Sequence, residues 1–370
     1  MKIAIVVPGG VDRSGEYRVI PALLALLQRL AARHEVHVFA LRQELAPGRW
    51  QLRGAHIHNI GGSGGTPAQL RALAAIRREH RAAAFDLVQA IWSGGCGAVA
   101  VAAAKVLGVP SAVHVTGGEL VALPAIAYGG RLRWTGRLRE ALVLRGATAL
   151  SATSEPIIAQ LAALGHAGRR LPLGVDLQRW PPRDPVRRDL RLPSRLVHVA
   201  SLNLVKDQTT LFHALAILSA NGVDFQVDVV GEDTLGGRMQ ALVQRLGLAP
   251  RTRFHGFLTQ TGLRPVMEQA HVNLMSSLHE AGPLVVLEAA ALGIPSVGTA
   301  VGHLAEWAPQ AALAVRVGDA AALAAAIGRL LDDEVLRLQL ATEAHRRALL
   351  EDAQHTAALF EALYRELTAR

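Results

Sequence analysis

Two glutamates, Glu280 and Glu288, stand eight positions apart in the stretch SSLHEAGPLVVLEAAALGIPSVGT at residues 276–299. Almost all of the residues around them are apolar or small. An ionised carboxylate in such surroundings costs free energy unless it has a partner. The two carboxylates could belong to an exposed helix face or to internal ion pairs. Alternatively, they meet a ligand that carries hydroxyl groups or charges.

The same stretch predicts a buried helix that begins beside the first glutamate. Gly282 followed by Pro283 suits a helix start, and Gly293 suits the position just past a helix end. A helix that is apolar on all sides is buried. Its N-terminus offers unpaired backbone N–H groups and the positive end of the helix dipole, which together suit phosphate. A ligand with phosphates and hydroxyl groups would therefore explain both glutamates.

Four other residues, in three segments, could contribute to a ligand site. Lys206 lies in the loop after the strand of VHVASLNLVKDQTTL and is a point charge suited to phosphate, although most loop lysines are only solvated. Gly9 and Gly10 follow the first strand, where glycine lets a backbone approach a ligand closely. His114 stands at a strand end in HVTGGEL, but a lone histidine of this kind is more often structural.

Several well-defined motifs are missing. The glycines of VPGG and of IGGSGGTPAQL (60–70) do not have the spacing of a dinucleotide fingerprint, and HEVH and HIH do not match the zinc signature H-E-x-x-H. The sequence contains no Walker A motif. It also lacks the G-x-S-x-G motif of hydrolases in which a serine is the nucleophile. We predict no metal site and no resident cofactor.

The elements that must position these residues alternate regularly along the chain. Short apolar runs alternate with amphipathic stretches, which predicts two tandem Rossmann-like, doubly wound parallel-sheet domains. A proline-rich, charged stretch separates them. A ligand should lie in a crevice at the carboxyl ends of the strands. The predicted parts are a first domain at 1–178, a linker at 179–194, a second domain at 195–352 and a helix at 353–370 that returns to the first domain.

Composition and charge limit the environment and the partners. A single cysteine, Cys96, points weakly to a reducing compartment, and the N-terminal apolar run is too short for a signal peptide. We expect a cytoplasmic location, with peripheral association at the inner membrane face. Residues 1–180 carry a net charge of +11 and the remainder −2. The basic clusters could be solvated helix faces. As a binding surface, the basic half favours an anionic membrane or a phosphate-bearing substrate over nucleic acid, because aromatic residues are scarce.

The whole chain resembles the retaining nucleotide-sugar glycosyltransferases of family four, which have the two-domain GT-B fold with a central cleft. HEAGPLVVLE matches the E-x7-E signature of that family. VHVASLNLVKDQ looks like its diphosphate-binding loop, GVD resembles the end of its first domain, and FHGFL and the final LFEALYREL also agree. The E-x7-E motif in this context is the specific part of the resemblance, which extends over essentially the full length.

The resemblance implies roles for individual residues. Glu280 would contact hydroxyl groups of the donor sugar, and Glu288 would hold the ribose hydroxyls. Lys206 would neutralise the diphosphate leaving group, and His114 would reach the donor sugar from the first domain. The other implied donor contacts are Gly9, Gly10, Ser201, Asn203, Phe257, Leu258, Gly282, Pro283, Leu284 and Val285.

One departure from the family affects the expected charge of the site. The family often has an arginine in G-R-L-x-x-x-K, and Ser201 occupies that position here. Either Ser201 and Asn203 replace the arginine by hydrogen bonds, or Arg13 or Arg18 supplies the charge. The residue before GVD also differs, because leucine stands where asparagine is usual.

The resemblance implies a metal-independent hexosyltransferase that moves a sugar from a UDP- or GDP-sugar to a hydroxyl group with retention of configuration. The acceptor would be a saccharide or a lipid-linked saccharide, as in polysaccharide biosynthesis. Two alternatives stay open. One is a sugar-nucleotide epimerase or a phosphorylase of the same architecture. The other is a non-catalytic sugar-nucleotide-binding protein, for which the missing arginine is the motivating feature.

Overall fold

The computed structural model describes residues 1–369, which form two compact units. The first unit contains Met1–Gly174 together with the chain from Ala353 onward, and the second contains Val175–Asp352. Each unit is an α/β layer structure in which apolar runs form the buried strands of one sheet. No helix among the described residues combines the length and the apolar composition that a membrane span requires.

The sheet of the first unit has eight strands in the order β3-β4-β2-β1-β5-β6-β7-β8. All neighbouring strands run parallel except β3, which is antiparallel to β4. The strands are β1 (Lys2–Val7), β2 (Glu35–Ala40), β3 (Gly48–Leu52), β4 (Ala55–Asn59), β5 (Leu87–Ile91), β6 (Ser111–Val115), β7 (Ala149–Ala152) and β8 (Arg169–Arg170). The intervening helices are α1 (Pro21–Ala31), α2 (Gly65–Ala82), α3 (Gly95–Leu107), α4 (Trp134–Gly146) and α5 (Glu155–Ala163).

The sheet of the second unit has six parallel strands in the order β11-β10-β9-β12-β13-β14. They are β9 (Ser194–Val199), β10 (Phe225–Val230), β11 (Thr252–Gly256), β12 (Val272–Met275), β13 (Ser296–Thr299) and β14 (Ala312–Val315). The helices are α6 (Gln208–Ala220), α7 (Arg238–Arg245), α8 (Gln260–Met267), α9 (Leu284–Ala291), α10 (Gly302–Trp307), α11 (Ala320–Asp332) and α12 (Glu334–Leu350).

The last helix, α13 (Ala353–Thr368), belongs to the first unit, where it packs against α1. Thr356 fastens its first turn, because the Thr356 hydroxyl donates to the Pro172 carbonyl and accepts the Gly174 N–H, both at 2.8 Å. The predicted fold class is therefore confirmed: two doubly wound, largely parallel sheets, followed by a helix that returns to the first.

Two details differ from the prediction. The segment 179–194 is not a free linker, because it lies within the second unit and is anchored there by the buried Trp180 and by Arg188, which pairs with Glu334 at 2.9 Å. Most of its other residues are exposed, and its prolines prevent regular structure. The edge strand β3 was not predicted, since GRWQL has no apolar pattern that separates it from a loop.

Candidate functional site

Lys206 and Glu280 form an ion pair at the carboxyl edge of the second sheet. Lys206 ends a short 3-10 turn at Leu204–Lys206, which follows β9, and Glu280 follows β12, the neighbouring strand. The Ser277 hydroxyl donates to the same Glu280 oxygen at 2.6 Å. Glu280 is therefore held by one cation and one hydroxyl group at the edge where parallel α/β sheets bind ligands.

The backbone around Lys206 is fixed by three contacts to neighbouring residues. The Asn203 side chain accepts the Lys206 N–H at 3.2 Å, and the Ser276 hydroxyl donates to the Lys206 carbonyl at 2.8 Å. The Leu278 N–H donates to the Val205 carbonyl at 2.8 Å. These bonds connect the loops that follow β9 and β12. Asn203, predicted as a ligand contact, acts in this structure by positioning the lysine.

The N-terminus of α9 lies directly after Glu280. The backbone N–H groups of Gly282, Leu284 and Val285 donate to no other group in residues 1–369, as expected at the start of a helix. Pro283 is the residue that caps the helix. Lys206 and these amides together supply positive charge and N–H donors, which is the chemistry that binds phosphate.

Glu288 lies inside the second turn of α9 and is only 5% exposed. Its carboxylate accepts a hydrogen bond from Gln260 Nε2 at 3.1 Å. Burial raises the pKa of Glu288 to about 7, although Gln260 and the nearby indole N–H of Trp180 act in the opposite direction. The indole is close but does not form a hydrogen bond of normal geometry. No cation pairs with Glu288 among the described residues, so an ion pair does not explain this buried carboxylate.

The loop after β11 connects to Glu288 through Gln260. Phe257 is 52% exposed on this loop, and Leu258 packs partly against the core. Gln260 begins α8 and accepts a hydrogen bond from Arg179 at 3.4 Å while it donates to Glu288. Gln260 was not predicted from the sequence, where the only signal was that a buried Glu288 required some donor.

Ser201 lies on the loop after β9 with an exposed side chain. Its carbonyl accepts a hydrogen bond from Gln208 Nε2 at 3.1 Å. The alternative sources of charge, Arg13 and Arg18, are engaged within the first unit. Arg13 pairs with Glu44 at 3.2 Å, and Arg18 donates to the carbonyl of Gln43.

The structure contradicts the assignment of His114 to a ligand. His114 lies within β6 and has no exposed surface. Its ring is hydrogen-bonded to the hydroxyls of Ser151 at 3.0 Å and Thr153 at 3.2 Å, and it packs edge-on against Phe360 of α13. Burial lowers its pKa to about 3. His114 is a neutral core residue because α13 covers the face of the sheet toward which it points.

Gly9 and Gly10 lie where predicted, directly after β1. Gly10 has φ of 81°, and a Cβ at that position would lie 2.5 Å from Cδ1 of Ile20. Local packing therefore requires glycine at position 10 with or without a ligand. The proposed ligand contact of the two glycines stays a prediction.

Two buried carboxylates that sequence analysis missed lie near the carboxyl ends of β5 and β6 in the first unit. The Ser93 hydroxyl donates to Glu140 at 2.7 Å, and the Ser93 N–H donates to Glu119 at 3.0 Å. Burial raises the pKa of Glu119 and raises that of Glu140 to about 7. Trp92, the residue before Ser93, has φ of 75°, which is a strained conformation for an aromatic residue.

The substitution Glu140→Gln is expected to reduce the pH dependence of stability. Because the pKa of Glu140 is raised in the folded protein, the free energy of unfolding of the wild type falls as pH rises from about 4.5 to about 7. This one group lowers it by about 3 kcal/mol. The glutamine has no proton to lose and can still accept from Ser93. Thermal unfolding at pH 5 and pH 8 should show that the variant gains stability over wild type at the higher pH. If the stabilities of the wild type and the variant changed equally between pH 5 and pH 8, a raised pKa of Glu140 would be contradicted.

Among the described residues, one group of side chains could hold a metal ion, and it lies in the first unit. Ligand atoms of His37, His58 and Glu79 lie within 4.8 Å of one another. The two rings are hydrogen-bonded at 3.0 Å, and Glu79 pairs with Arg49 at 2.7 Å. These contacts already engage both rings and the carboxylate. The expected lack of a metal site stays a prediction.

Comparison with known families gives matches to both units. A family model described as "Glycosyl transferase 4-like domain" matches residues 19–175, and one described as "Glycosyl transferases group 1" matches residues 193–333.

The curated relatives include a mannosyltransferase and a glycogen synthase. The chain is 29% identical over 228 residues to an MMP alpha-(1->4)-mannosyltransferase of Mycolicibacterium hassiacum. The aligned region covers 60% of this chain and 54% of the relative. It is 31% identical over 176 residues to a glycogen synthase of Mycobacterium tuberculosis. This region covers 47% of this chain and 42% of that relative. The chain thus spans about half the length of the curated relatives it matches.

Solved structures share the fold over the full length. A sucrose-phosphate synthase of Thermosynechococcus elongatus has a TM-score of 0.80 at 20% identity. The alignment covers 100% of this chain and 100% of that chain. HepE of Anabaena, solved in complex with UDP-glucose, has a TM-score of 0.76 at 17% identity, with 99% of this chain and 100% of that chain covered.

Proposed function

Because the chain belongs to the glycosyltransferases of family-four type, we propose that it transfers a sugar from a nucleoside diphosphate donor to a hydroxyl group of an acceptor. The observation that carries this proposal is the Lys206–Glu280 pair beside the free amides of α9, with the unpaired Glu288 one turn further along. A cation, free amides and two carboxylates match the phosphates, sugar hydroxyls and ribose hydroxyls of one ligand.

The donor is proposed to lie along the carboxyl edge of the second sheet. Its diphosphate would meet Lys206 and the amides of Gly282, Leu284 and Val285, and the sugar hydroxyls would meet Glu280. Glu288 would accept hydrogen bonds from the ribose, with Gln260 holding the carboxylate in place. The base would lie against Phe257 and Leu258, which occupy the loop that leads to Gln260.

The proposed reaction retains the anomeric configuration. The acceptor oxygen attacks the anomeric carbon from the face on which the diphosphate leaves, the bond from that carbon to the phosphate oxygen breaks, and the acceptor proton passes to the departing phosphate. Negative charge develops on the diphosphate during this step. In this proposal Lys206 and the amides of Gly282, Leu284 and Val285 would stabilise that charge, which is the task that a divalent metal performs in other enzymes.

The relatives support a hexose donated from a nucleotide. The similar proteins include a mannosyltransferase and a glycogen synthase, and similar structures hold UDP or UDP-glucose. We propose a UDP- or GDP-hexose as donor and a saccharide or lipid-linked saccharide as acceptor.

The second candidate is a protein that binds the sugar nucleotide without transferring it. Ser201 favours this candidate, because a short exposed hydroxyl stands where family members often carry a cationic arginine. The pair of Lys206 and Glu280 has no net charge, so less positive charge is available for the leaving group.

A transfer assay separates these candidates. The full chain is incubated with radiolabelled UDP- and GDP-hexoses and a panel of saccharide acceptors without divalent metal. We expect label in a larger saccharide, an equal amount of nucleoside diphosphate, and a product linkage of the donor's anomeric configuration by NMR. Binding without turnover would support the second candidate. Conversion of the donor to an isomeric sugar nucleotide would identify an epimerase.

A further inference from the structure

We propose that the outer face of α4 binds the surface of a membrane that contains anionic phospholipids. Three large apolar side chains project from this helix: Trp134, Leu138 and Leu142 are 68%, 53% and 63% exposed. Their spacing of four residues places them along one stripe that covers roughly 80° of the helix circumference. Single exposed apolar residues are ordinary, but three on one helical stripe mark an interaction surface.

Arginines surround this stripe. The side chains of Arg137 and Arg139 leave the helix on opposite sides of it, and Arg133 and Arg145 lie near its two ends, all exposed. None of the four forms an ion pair with a carboxylate of residues 1–369. The only acidic residue of α4, Glu140, is buried against Ser93. The exposed face of α4 is therefore apolar and cationic, without a compensating negative charge.

This combination fits a phospholipid surface better than a second copy of the chain. Two copies that met through the α4 face would bring the arginines of both together, and like charges at an interface oppose association. An anionic bilayer offers phosphate groups to the arginines and an apolar layer to the leucines at the same place. A tryptophan at such a surface has the position that tryptophan prefers at membrane interfaces.

Vesicle sedimentation with the full chain tests this proposal independently of sugar transfer. The protein is mixed with vesicles of phosphatidylcholine alone or with about 30% phosphatidylglycerol, which gives the bilayer a negative surface potential. We expect binding only to the anionic vesicles and weaker binding at high salt. The variant W134S/L138S/L142S should bind at least about tenfold more weakly, and R137E/R139E at least about 25-fold, at roughly fivefold per lost arginine contact.

The matched control is V335S/L350S on α12. These two residues are each 59% exposed, but acidic residues flank them in the sequence. The control should bind vesicles like wild type, and unchanged melting temperatures would show that all variants fold. Three results would overturn the proposal: no binding of wild type to anionic vesicles, equal binding of wild type and both α4 variants, or a dimer in solution that W134S/L138S/L142S converts to a monomer.

Discussion

Lys206→Ala is expected to lower kcat for sugar transfer by roughly 10²–10³-fold, the usual effect of removing one group that stabilises charge in the transition state. The backbone of the lysine is held by Asn203 and Ser276, Leu278 holds the carbonyl of the preceding Val205, and the Lys206 ammonium pairs with Glu280. Without it, the departing diphosphate would lose a cation and would face an unpaired Glu280 carboxylate. KM for the donor should change less than kcat, because the negative charge on the leaving group grows during the reaction.

The chain offers a matched control for this substitution. Lys105 is an exposed lysine at the end of α3 in the first unit, and Lys105→Ala should leave kcat unchanged. Steady-state measurement of nucleoside diphosphate release gives kcat and KM for each variant. A Lys206→Ala enzyme with the wild-type kcat would exclude Lys206 from the transfer step.

Glu288→Gln is expected to weaken binding of the nucleotide sugar by roughly 10–100-fold, because hydrogen bonds to a charged group contribute about 1.5–3 kcal/mol each. In the proposed complex the ribose hydroxyls donate to the carboxylate, so the ligand would bind the ionised form. Since the pKa of Glu288 is about 7 without ligand, donor affinity should rise as pH increases from 6 to about 7 and then level off. The glutamine variant should lack this rise.

Calorimetry with the intact nucleotide sugar at several pH values measures this effect. The intact donor is preferable to a free nucleoside diphosphate, whose terminal phosphate also titrates near neutral pH. Glu140→Gln is a suitable control, because Glu140 is also buried, with a pKa of about 7, but lies in the first unit. It should keep the wild-type pH profile for donor binding. An unchanged affinity in Glu288→Gln would remove the ribose contact from the proposal.

The elements of the fold could be predicted because their signals are local. Continuous apolar runs such as KIAIVV form buried parallel strands, and Gly293, with φ of 72°, lies just after the helix end as predicted. The edge strand β3 could not be predicted, since its stability comes from its antiparallel pairing with β4 rather than from its own composition.

The candidate site could be predicted where one segment carries it, or where a residue follows a strand of the same sheet, as Lys206 does. Glu280, the α9 amides and Glu288 are close in sequence and follow from helix geometry. Gln260 and Trp180 reach Glu288 from distant segments, so no spacing in the sequence indicates them. His114 was assigned wrongly for the same reason: Phe360, far along the chain, covers it.

The most direct test of the donor site is a crystal structure of the full chain with a hydrolysis-resistant UDP- or GDP-hexose. We predict the diphosphate within hydrogen-bond distance of Lys206 and the amides of Gly282, Leu284 and Val285, with the ribose hydroxyls on Glu288. A nucleotide bound elsewhere, with Glu280 and Glu288 free of contact to it, would contradict the proposed donor site.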